Sequence, residues 1–355
     1  MPTAHSPTPA TETQPRGIPA QEPRLALVTG VSGYVGTRLV PALLKAGYAV
    51  RVLARDASRV FTRGWADDVE IVEGDVGVDA DLARACEGVE VAYYLIHSMD
   101  GEGDFVERDR EMAIAFSTAA REAGVGRIVY LSGLHPDGPL SDHLASRVEV
   151  GEVLMASGVP TAVLQAAMVV GSGSASFEML RHLTHRLPVM ITPAWLEHRI
   201  QPIAIADVLH ALVVAAALPP EVNRAFDIAG PDVLSYREMI QKFAELSGMR
   251  QRVIVPVPLL TPYLASHWIG LVTPVPTGLA KPLVGSLLHE VVATEDDLAA
   301  YGGRPRAAYL TFEESARAAL AHPDGSELDL PEPGDCDPAQ LTAADPSWAG
   351  PRGWW

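Results

Sequence analysis

Cysteine is scarce in this sequence, and acidic side chains outnumber basic ones. The 355 residues include two cysteines and carry a formal charge of −17, from 27 lysine and arginine residues against 44 acidic ones. Two cysteines cannot build the disulfide framework of a small secreted protein. The basic residues form no run, so the chain lacks the clustered positive face that nucleic-acid binding requires. We therefore expect no nucleic-acid partner.

Long apolar runs are also missing, and the first residues are not expected to act as a secretory leader. The first 23 residues contain no apolar core of the kind that a signal peptide needs. Prolines interrupt the uncharged stretch between Arg252 and Lys281, so no uninterrupted run reaches the roughly 20 residues of a membrane-spanning helix. We expect a cytoplasmic protein without a transmembrane segment. The uncharged stretch is interpreted as a buried lobe or pocket wall, with peripheral membrane contact as the alternative.

The two ends of the chain differ in composition from its middle. Residues 1–23 are rich in proline, and residues 322–355 hold seven acidic side chains against one arginine. Neither stretch shows hydrophobic periodicity, so both are predicted to be disordered tails. The tryptophans of the last nine residues leave a second interpretation open, in which this end docks onto the protein or onto a partner.

A glycine pattern stands between an apolar run and an amphipathic segment. The run from Leu25 to Val28 is followed by three glycines, and the segment continues to Ala46. The first glycine permits a tight turn, the second lets the backbone approach a pyrophosphate, and the third lets the helix pack closely on the strand. The loop predicts a dinucleotide site, with contacts from Gly30, Ser32, Gly33, Tyr34, Val35 and Gly36.

The corner after the second predicted strand, Tyr48 to Arg55, bears on which dinucleotide is bound. An acidic residue at this corner accepts hydrogen bonds from a free ribose 2′-hydroxyl, whereas an arginine pairs with a 2′-phosphate. The usual acidic position is Ala54, and Arg55 offers a planar set of donors. The sequence therefore favours NADP(H) over NAD(H). The alternative is that Arg55 is a solvated charge paired with Asp56.

Predicted strands and helices alternate six times before Gly171. This rhythm predicts an α/β fold of Rossmann type, with a doubly wound parallel sheet. We expect a dinucleotide-binding domain over 24–171 and a mixed α/β substrate lobe over 172–321, some of whose elements return to the sheet. Ligands of such sheets bind at the carboxyl ends of the strands. Four further candidates fall at those ends: Asp75, Val76, His97 and Ser132.

These motifs resemble those of the extended short-chain dehydrogenase/reductases, and most closely their atypical, NmrA-like branch of NAD(P)-binding proteins. The resemblance covers about residues 24 to 320 and depends on the glycine pattern, on Asp75-Val76, on the strand end Tyr130 to Gly133 and on the segment Gln201 to Asp207. It implies the cofactor class more strongly than the substrate. One such fold hosts reductases, epimerases, dehydratases and non-catalytic sensors.

The resemblance also indicates an altered catalytic pair. Active members place a tyrosine four residues before a lysine on the helix after the fifth strand, with a serine at the end of that strand. Ser132 matches the serine, whereas His143 and Arg147 stand at the tyrosine and lysine positions. The spacing keeps both side chains on one helix face. Arg147 is expected to hold the cofactor ribose and to keep His143 neutral, able to relay a proton near pH 7.

Three functions remain open at this point. The leading one is an NADP(H)-dependent oxidoreductase acting on a small-molecule apolar carbonyl or alcohol, with Ser132, His143 and Arg147 as catalytic residues. A non-catalytic NAD(P)-binding sensor or assembly protein is the second, in which His143 is a polar residue at a helix start. An epimerase or dehydratase with tightly held cofactor is the third. The remaining histidines form no convincing ligand cluster, so no metal site is expected.

Overall fold

Strands and helices alternate along the first half of the chain. The structure is a computed structural model that describes residues 23–96, 105–135, 140–257, 272–286, 289–321 and 330–350. The elements of the first half are β1 (Leu25–Thr29), α1 (Tyr34–Lys45), β2 (Ala49–Ala54), α2 (Ser58–Phe61), β3 (Glu70–Glu73), α3 (Asp79–Cys86), β4 (Val91–Tyr94), α4 (Phe105–Glu122), β5 (Arg127–Gly133), α5 (Asp142–Ala156) and β6 (Thr161–Ala166).

The second half contains shorter strands and five α-helices among its described residues. Its elements are β7 (Val169–Val170), α6 (Ala175–Arg186), β8 (Val189–Pro193), β9 (Arg199–Ile200), β10 (Ile203–Ala204), α7 (Ile205–Ala216), β11 (Arg224–Ile228), β12 (Leu234–Ser235), α8 (Tyr236–Leu246), β13 (Val253–Val257), α9 (Thr277–Ser286) and α10 (Phe312–Leu320). The extended chain that begins at Thr161 is divided into β6 and β7, because it leaves the main sheet after Ala166 and residues 169–170 pair with β10 instead.

Seven strands form the main sheet, in the order β11-β6-β5-β4-β1-β2-β3. Every neighbouring pair in this sheet is parallel. The predicted Rossmann-type α/β fold is therefore confirmed, and β11 is an element of the second half that returns to the sheet. The chain order reverses between β1 and β4, and the carboxyl ends of the strands beside such a reversal form a crevice that binds ligands.

The hydrophobic core lies on both faces of this sheet. One face is covered by α1 and α7, which bury Leu39 and Leu212 against it, and the other by α3, α4 and α5, which bury Leu82, Phe116 and Leu154. All four residues of β4 are buried. Burying one large apolar side chain stabilises a fold by roughly 1.5–3 kcal/mol, so this two-sided burial holds the strand ends in fixed positions.

Three two-stranded sheets belong to the second half: β7 with β10, β9 with β12, and β8 with β13. The β8–β13 sheet exposes one apolar face, on which Val189, Ile191, Val253 and Val255 are between 45% and 60% exposed. The uncharged stretch after Arg252 is thus not buried at its start, and residues 258–271 lie outside the described residues. Within the described part of the chain, no helix has the length and apolar character needed to cross a membrane.

Residues 330–350, here called the C-terminal segment, lie against α1 and α6. Asp345 forms a buried ion pair with Arg38 of α1 at 2.6 Å, and the Ser172 N–H donates to the carbonyl of Ala339. The prediction of a disordered tail over 322–355 is therefore wrong for this segment. Its acidic composition suggested solvation, but the charge of Asp345 is balanced by an arginine that the segment itself covers. The predicted N-terminal tail falls outside the described residues, apart from Pro23.

Candidate cofactor site

A cavity of about 670 Å³ opens at the carboxyl ends of β1 to β5, here called the cofactor cavity. It lies where the strand order reverses, which is the expected ligand position in such a sheet. His97, one of the predicted contacts, lies outside the described residues. The structure brings the other ten predicted cofactor contacts together around this cavity: Gly30, Ser32, Gly33, Tyr34, Val35, Gly36, Arg55, Asp75, Val76 and Arg147.

The glycine turn follows β1, the middle one of the five strands at the cavity, and leaves no room for side chains. Gly30 has φ of +68°, and a Cβ there would lie 2.5 Å from the carbonyl oxygen of Leu95. A Cβ on Gly36 would lie 2.4 Å from the carbonyl oxygen of Gly30. The Gly33 N–H donates to that same oxygen at 3.0 Å, which closes the turn. This cradle fits a dinucleotide pyrophosphate placed at the start of α1.

The corner after β2 places Arg55 at the cavity with its charge uncompensated. The neighbouring Asp56 accepts hydrogen bonds from the backbone and hydroxyl of Ser58 and pairs with Arg59 at 3.4 Å. Among the described residues, Arg55 has no ion pair and no hydrogen bond, so pairing with Asp56 is not seen. An exposed guanidinium at this corner is free to meet a phosphate.

Asp75 follows β3 and is held by the loop around it. Its carboxylate accepts the Gly77 N–H at 2.8 Å, and its own N–H donates to Asp81 at 2.9 Å. These two bonds fix the backbone and the carboxylate where they line the cavity next to Val76. A carboxylate in this position can accept a hydrogen bond from an amino group or a hydroxyl.

Arg108 and Met112 of α4 also line the cavity, and sequence reasoning did not identify them. They are four residues apart, so they share one face of the helix. This four-residue spacing was the signal that the sequence offered, but it does not show which face of the helix lies against the cavity. Arg108 is exposed and makes no ion pair within the described parts of the chain. The cavity thus holds a second uncompensated arginine besides Arg55.

Arg147 of α5 lines the cavity beside the carboxyl end of β5. Its Nη2 donates to the carbonyl of Leu131 at 2.6 Å, and its Nε is buried with no partner among the described residues. Ser132 is buried, and its hydroxyl donates to the backbone carbonyl of Arg147 at 3.3 Å. Ser132 does not line the cavity. An orphaned guanidinium N–H beside a cavity can be satisfied by an oxygen atom of a ligand.

His143 stands one helical turn before Arg147 and is not among the residues that line the cavity. Burial, and after it the charge of Arg147, lowers the pKa of His143 to about 4. The imidazole is therefore neutral at pH 7, as the spacing suggested, although burial rather than Arg147 is the larger cause. Of the three predicted catalytic residues, only Arg147 lines the cavity, so the catalytic roles of His143 and Ser132 stay predictions.

Metal-binding groups do not gather in the part of the chain that the structure describes. No set of three or more histidine, cysteine, aspartate or glutamate side chains is placed there to hold a metal ion. The two cysteines, Cys86 and Cys336, are both free thiols. The cavity is lined by backbone N–H groups and arginines, which can donate hydrogen bonds to phosphates, and by one carboxylate, which can accept a hydrogen bond from a ribose hydroxyl.

Comparison with known proteins indicates which class of protein uses such a cavity. A family model described as NAD(P)H-binding matches residues 30–169. A ceramide reductase of Caulobacter vibrioides is 30% identical over 272 residues, which cover 74% of this chain and 83% of that protein. The fold and the cavity thus belong to an NAD(P)H-binding protein of the reductase and epimerase type.

Two solved structures share the fold at low identity. A triphenylmethane reductase of Citrobacter, in complex with NADP(H), is 20% identical with a TM-score of 0.66, covering 83% of this chain and all of that one. An NADPH-dependent quinone oxidoreductase of Escherichia coli, with NADPH bound, is 21% identical with a TM-score of 0.65, covering 82% and 98%. The ceramide reductase relative and these two structures agree with each other. The chain belongs to the atypical, NmrA-like branch of the extended short-chain dehydrogenase/reductases.

Proposed function

We propose that the protein is an NADP(H)-dependent oxidoreductase that acts on an apolar carbonyl or alcohol. The observation that carries the cofactor preference is Arg55, which lines the cavity at the β2 corner and has no ion pair among the described residues. It stands next to Ala54, where NAD-binding members of the fold have an acid. Two similar folds have been solved with NADP(H) or NADPH. When bound, the nicotinamide supplies or accepts a hydride.

The chain's own residues would orient the substrate oxygen at the Arg147 end of the cavity. A neutral imidazole can donate a hydrogen bond to a carbonyl oxygen and so stabilise the negative charge that develops there. His143 has this character because burial lowers its pKa to about 4. Arg147, whose Nε has no partner among the described residues, would hold the ribose next to it. An apolar substrate agrees with the relative's name, ceramide reductase, which denotes action on a lipid.

The cofactor preference is tested by titrating the protein with NADPH and NADH. We expect NADPH to bind about 10- to 100-fold more tightly, the range that a charged hydrogen bond contributes. Arg55→Gln should remove this difference by weakening NADPH alone. Arg59→Gln is the matched control, since its guanidinium is 74% exposed and pairs with Asp56. Equal affinities of the wild type for the two dinucleotides would contradict the preference.

Catalysis is tested with a panel of apolar aldehydes, ketones and quinones, following NADPH oxidation. We expect turnover of at least one class, and His143→Ala should lower kcat by about 10²- to 10⁴-fold with the cofactor Kd unchanged. Unaltered turnover in that variant would show that His143 has no part in the proton transfer.

A non-catalytic sensor is the second candidate, and a specific observation favours it. The Ser132 hydroxyl is buried and bonded to the Arg147 backbone, so it does not reach the cavity. His143 does not line the cavity either. Tight NADPH binding without oxidation across the whole panel, together with a partner that co-purifies in a cofactor-dependent manner, would favour the sensor.

A further inference from the structure

The C-terminal segment is joined to α1 through a buried arginine. Arg38 is 3% exposed, and its guanidinium donates to both carboxylate oxygens of Asp345, at 2.9 and 2.6 Å. Four backbone carbonyls, those of Tyr34, Ser172, Pro338 and Gln340, accept its other hydrogen bonds. Two of these four carbonyls belong to the segment. The segment thus supplies most of the partners that a buried guanidinium needs.

A second contact ties the end of the segment to α6. The carboxylate of Glu178, which is fully buried, accepts the Gly173 N–H at 3.0 Å and the Gly350 N–H at 2.9 Å. His182, one turn further along α6, bonds the carbonyl of Trp348 at 3.1 Å. Buried charges and imidazoles are costly unless they are paired, so this face of α6 is built to be covered. The C-terminal segment covers this face of α6.

Arg38 also contacts the glycine turn. Its guanidinium carbon lies 4.2 Å from the centre of the Tyr34 ring, and its Nη1 donates to the Tyr34 carbonyl at 3.4 Å. Tyr34 is the first residue of α1 and lines the cofactor cavity. A chain of three contacts therefore runs from Asp345 through Arg38 and Tyr34 to the place where a dinucleotide pyrophosphate binds.

We propose that the C-terminal segment positions the cofactor turn, with Asp345 acting through Arg38 as a positioning residue for dinucleotide binding. This inference depends on the dinucleotide binding of the cavity and not on the choice of substrate. If Asp345 loses its charge, Arg38 keeps a buried charge without its counterion and is expected to move toward water. Tyr34 and the start of α1 then lose a support, and the turn no longer presents its N–H groups in one direction.

Coupling of this kind is reciprocal. If the docked segment tightens cofactor binding by some factor, saturating cofactor must favour the docked segment by the same factor. The full-length wild type can test this without any substitution. Hydrogen exchange is measured over the peptide that contains the amides of Thr342, Asp345 and Gly350, all of which donate hydrogen bonds in the docked segment. We expect saturating NADPH to slow their exchange by about 10-fold, within the usual range of coupling.

A pair of variants separates positioning from simple stabilisation. Asp345→Asn should raise the Kd for NADPH by about 10-fold. Glu332→Gln is the matched control, because it lies in the same segment and touches Gly64 rather than Arg38. A lowered melting temperature of Asp345→Asn with an unchanged Kd would overturn the proposal, since the segment would then only stabilise the fold.

The hydrogen-exchange experiment on the wild type tests whether the segment positions the cofactor turn, even if Asp345→Asn fails to fold. Exchange of the segment that is identical with and without saturating NADPH would overturn the inference while leaving dinucleotide binding intact. A wild type that binds neither NADPH nor NADH would overturn both this inference and the proposed function.

Discussion

Two regions of the cofactor cavity are built by different means. The turn end, from Gly30 to Gly36 at the end of the central strand β1, is shaped by backbone atoms at close range. The helix end, beside the end of β5, is shaped by the side chain of Arg147 on α5. At the turn end, all three positions at which the fold requires glycine are occupied by glycine. The helix end keeps the spacing of the family's catalytic pair but has different side chains. Backbone geometry thus constrains the binding of the cofactor more strongly than it constrains the chemistry performed on it.

The largest effect is expected at the turn end. In Gly36→Ala, the added Cβ would lie 2.4 Å from the Gly30 carbonyl oxygen, so the turn must open. We expect NADPH affinity to fall by about 100-fold or more, since overpacking of rigid backbone costs about 1–3 kcal/mol or more. Isothermal titration calorimetry measures the loss.

Gly47→Ala is the control for this substitution. Gly47 has φ of +88° at the far end of α1, and nothing lies within 4 Å of a Cβ there. Alanine should therefore cost about 1 kcal/mol of folding stability through backbone strain and leave the Kd unchanged. Equal losses of cofactor affinity in both variants would show that the turn end is not specially constrained.

The next effect concerns pH at the helix end. Because the pKa of His143 is lowered to about 4 in the folded protein, the unfolded chain takes up a proton near pH 6.5 before the folded protein does. Stability is therefore lost as the pH falls from about 6.5 to about 4, and the contribution of His143 is at most about 3 kcal/mol. Above pH 6.5 the group is neutral in both states and contributes nothing.

Denaturant unfolding between pH 4 and 7 checks this window. His182 and His185 have pKa values lowered to about 4 by burial as well, so the wild-type loss is shared among several groups. His143→Gln should reduce the loss by the share of that one residue. Carbon-13 NMR of the imidazole should follow its titration directly, and a midpoint near 6.5 would contradict the buried environment of His143.

A moderate effect is expected from Arg147→Gln. Glutamine can still donate to the Leu131 carbonyl, but it has no charge and no Nε to offer a ribose oxygen. We expect NADPH to bind about 10-fold more weakly, in line with one charged hydrogen bond. The pKa of His143 should rise as well, because the charge of Arg147 contributes to lowering it. Unchanged affinity together with an unchanged pKa would show that the helix end does not depend on this arginine.

The smallest effect is expected from Arg108→Ala. Arg108 lines the cavity from the exposed side of α4, where water and salt screen its charge. NADPH affinity should fall by about 3-fold at low ionic strength and by less at 0.5 M salt. Arg110→Ala is the control, since that guanidinium points to Glu107 and Glu149. A salt-independent loss of affinity would indicate direct pairing with a phosphate.

Sequence patterns predicted the central fold closely, because each strand and helix there carries its own local signal. The second strand, predicted from Tyr48 to Arg55, runs from Ala49 to Ala54, and the glycine turn lies where its spacing placed it. The period of apolar residues and the positions of glycines are local properties. They are visible in the sequence without knowing which distant residues come into contact in the fold. The contacts from α4 lacked such a signal, because which face of a helix meets a cavity depends on how the helix packs.

The C-terminal segment shows where composition misleads. Its acidic residues predicted a solvated tail. That prediction is wrong because Asp345 pairs with Arg38, which lies about 300 residues earlier in the sequence. His182 is likewise fully buried, and its ring bonds the backbone carbonyl of Trp348 in this segment. A buried charge is stable only through a partner of opposite sign, and the sequence does not reveal which residues become partners in the fold.

By itself, the sequence determined the class of fold, the dinucleotide turn and the altered pair at His143 and Arg147, since these follow from spacing along the chain. Only the tertiary structure decided that Arg55 is not paired with Asp56, that Ser132 does not line the cavity and that Asp345 pairs with Arg38. The physical reason is the range of the interactions. Helix and strand periods arise between near neighbours, whereas hydrogen bonds and ion pairs between distant residues exist only after the chain has folded.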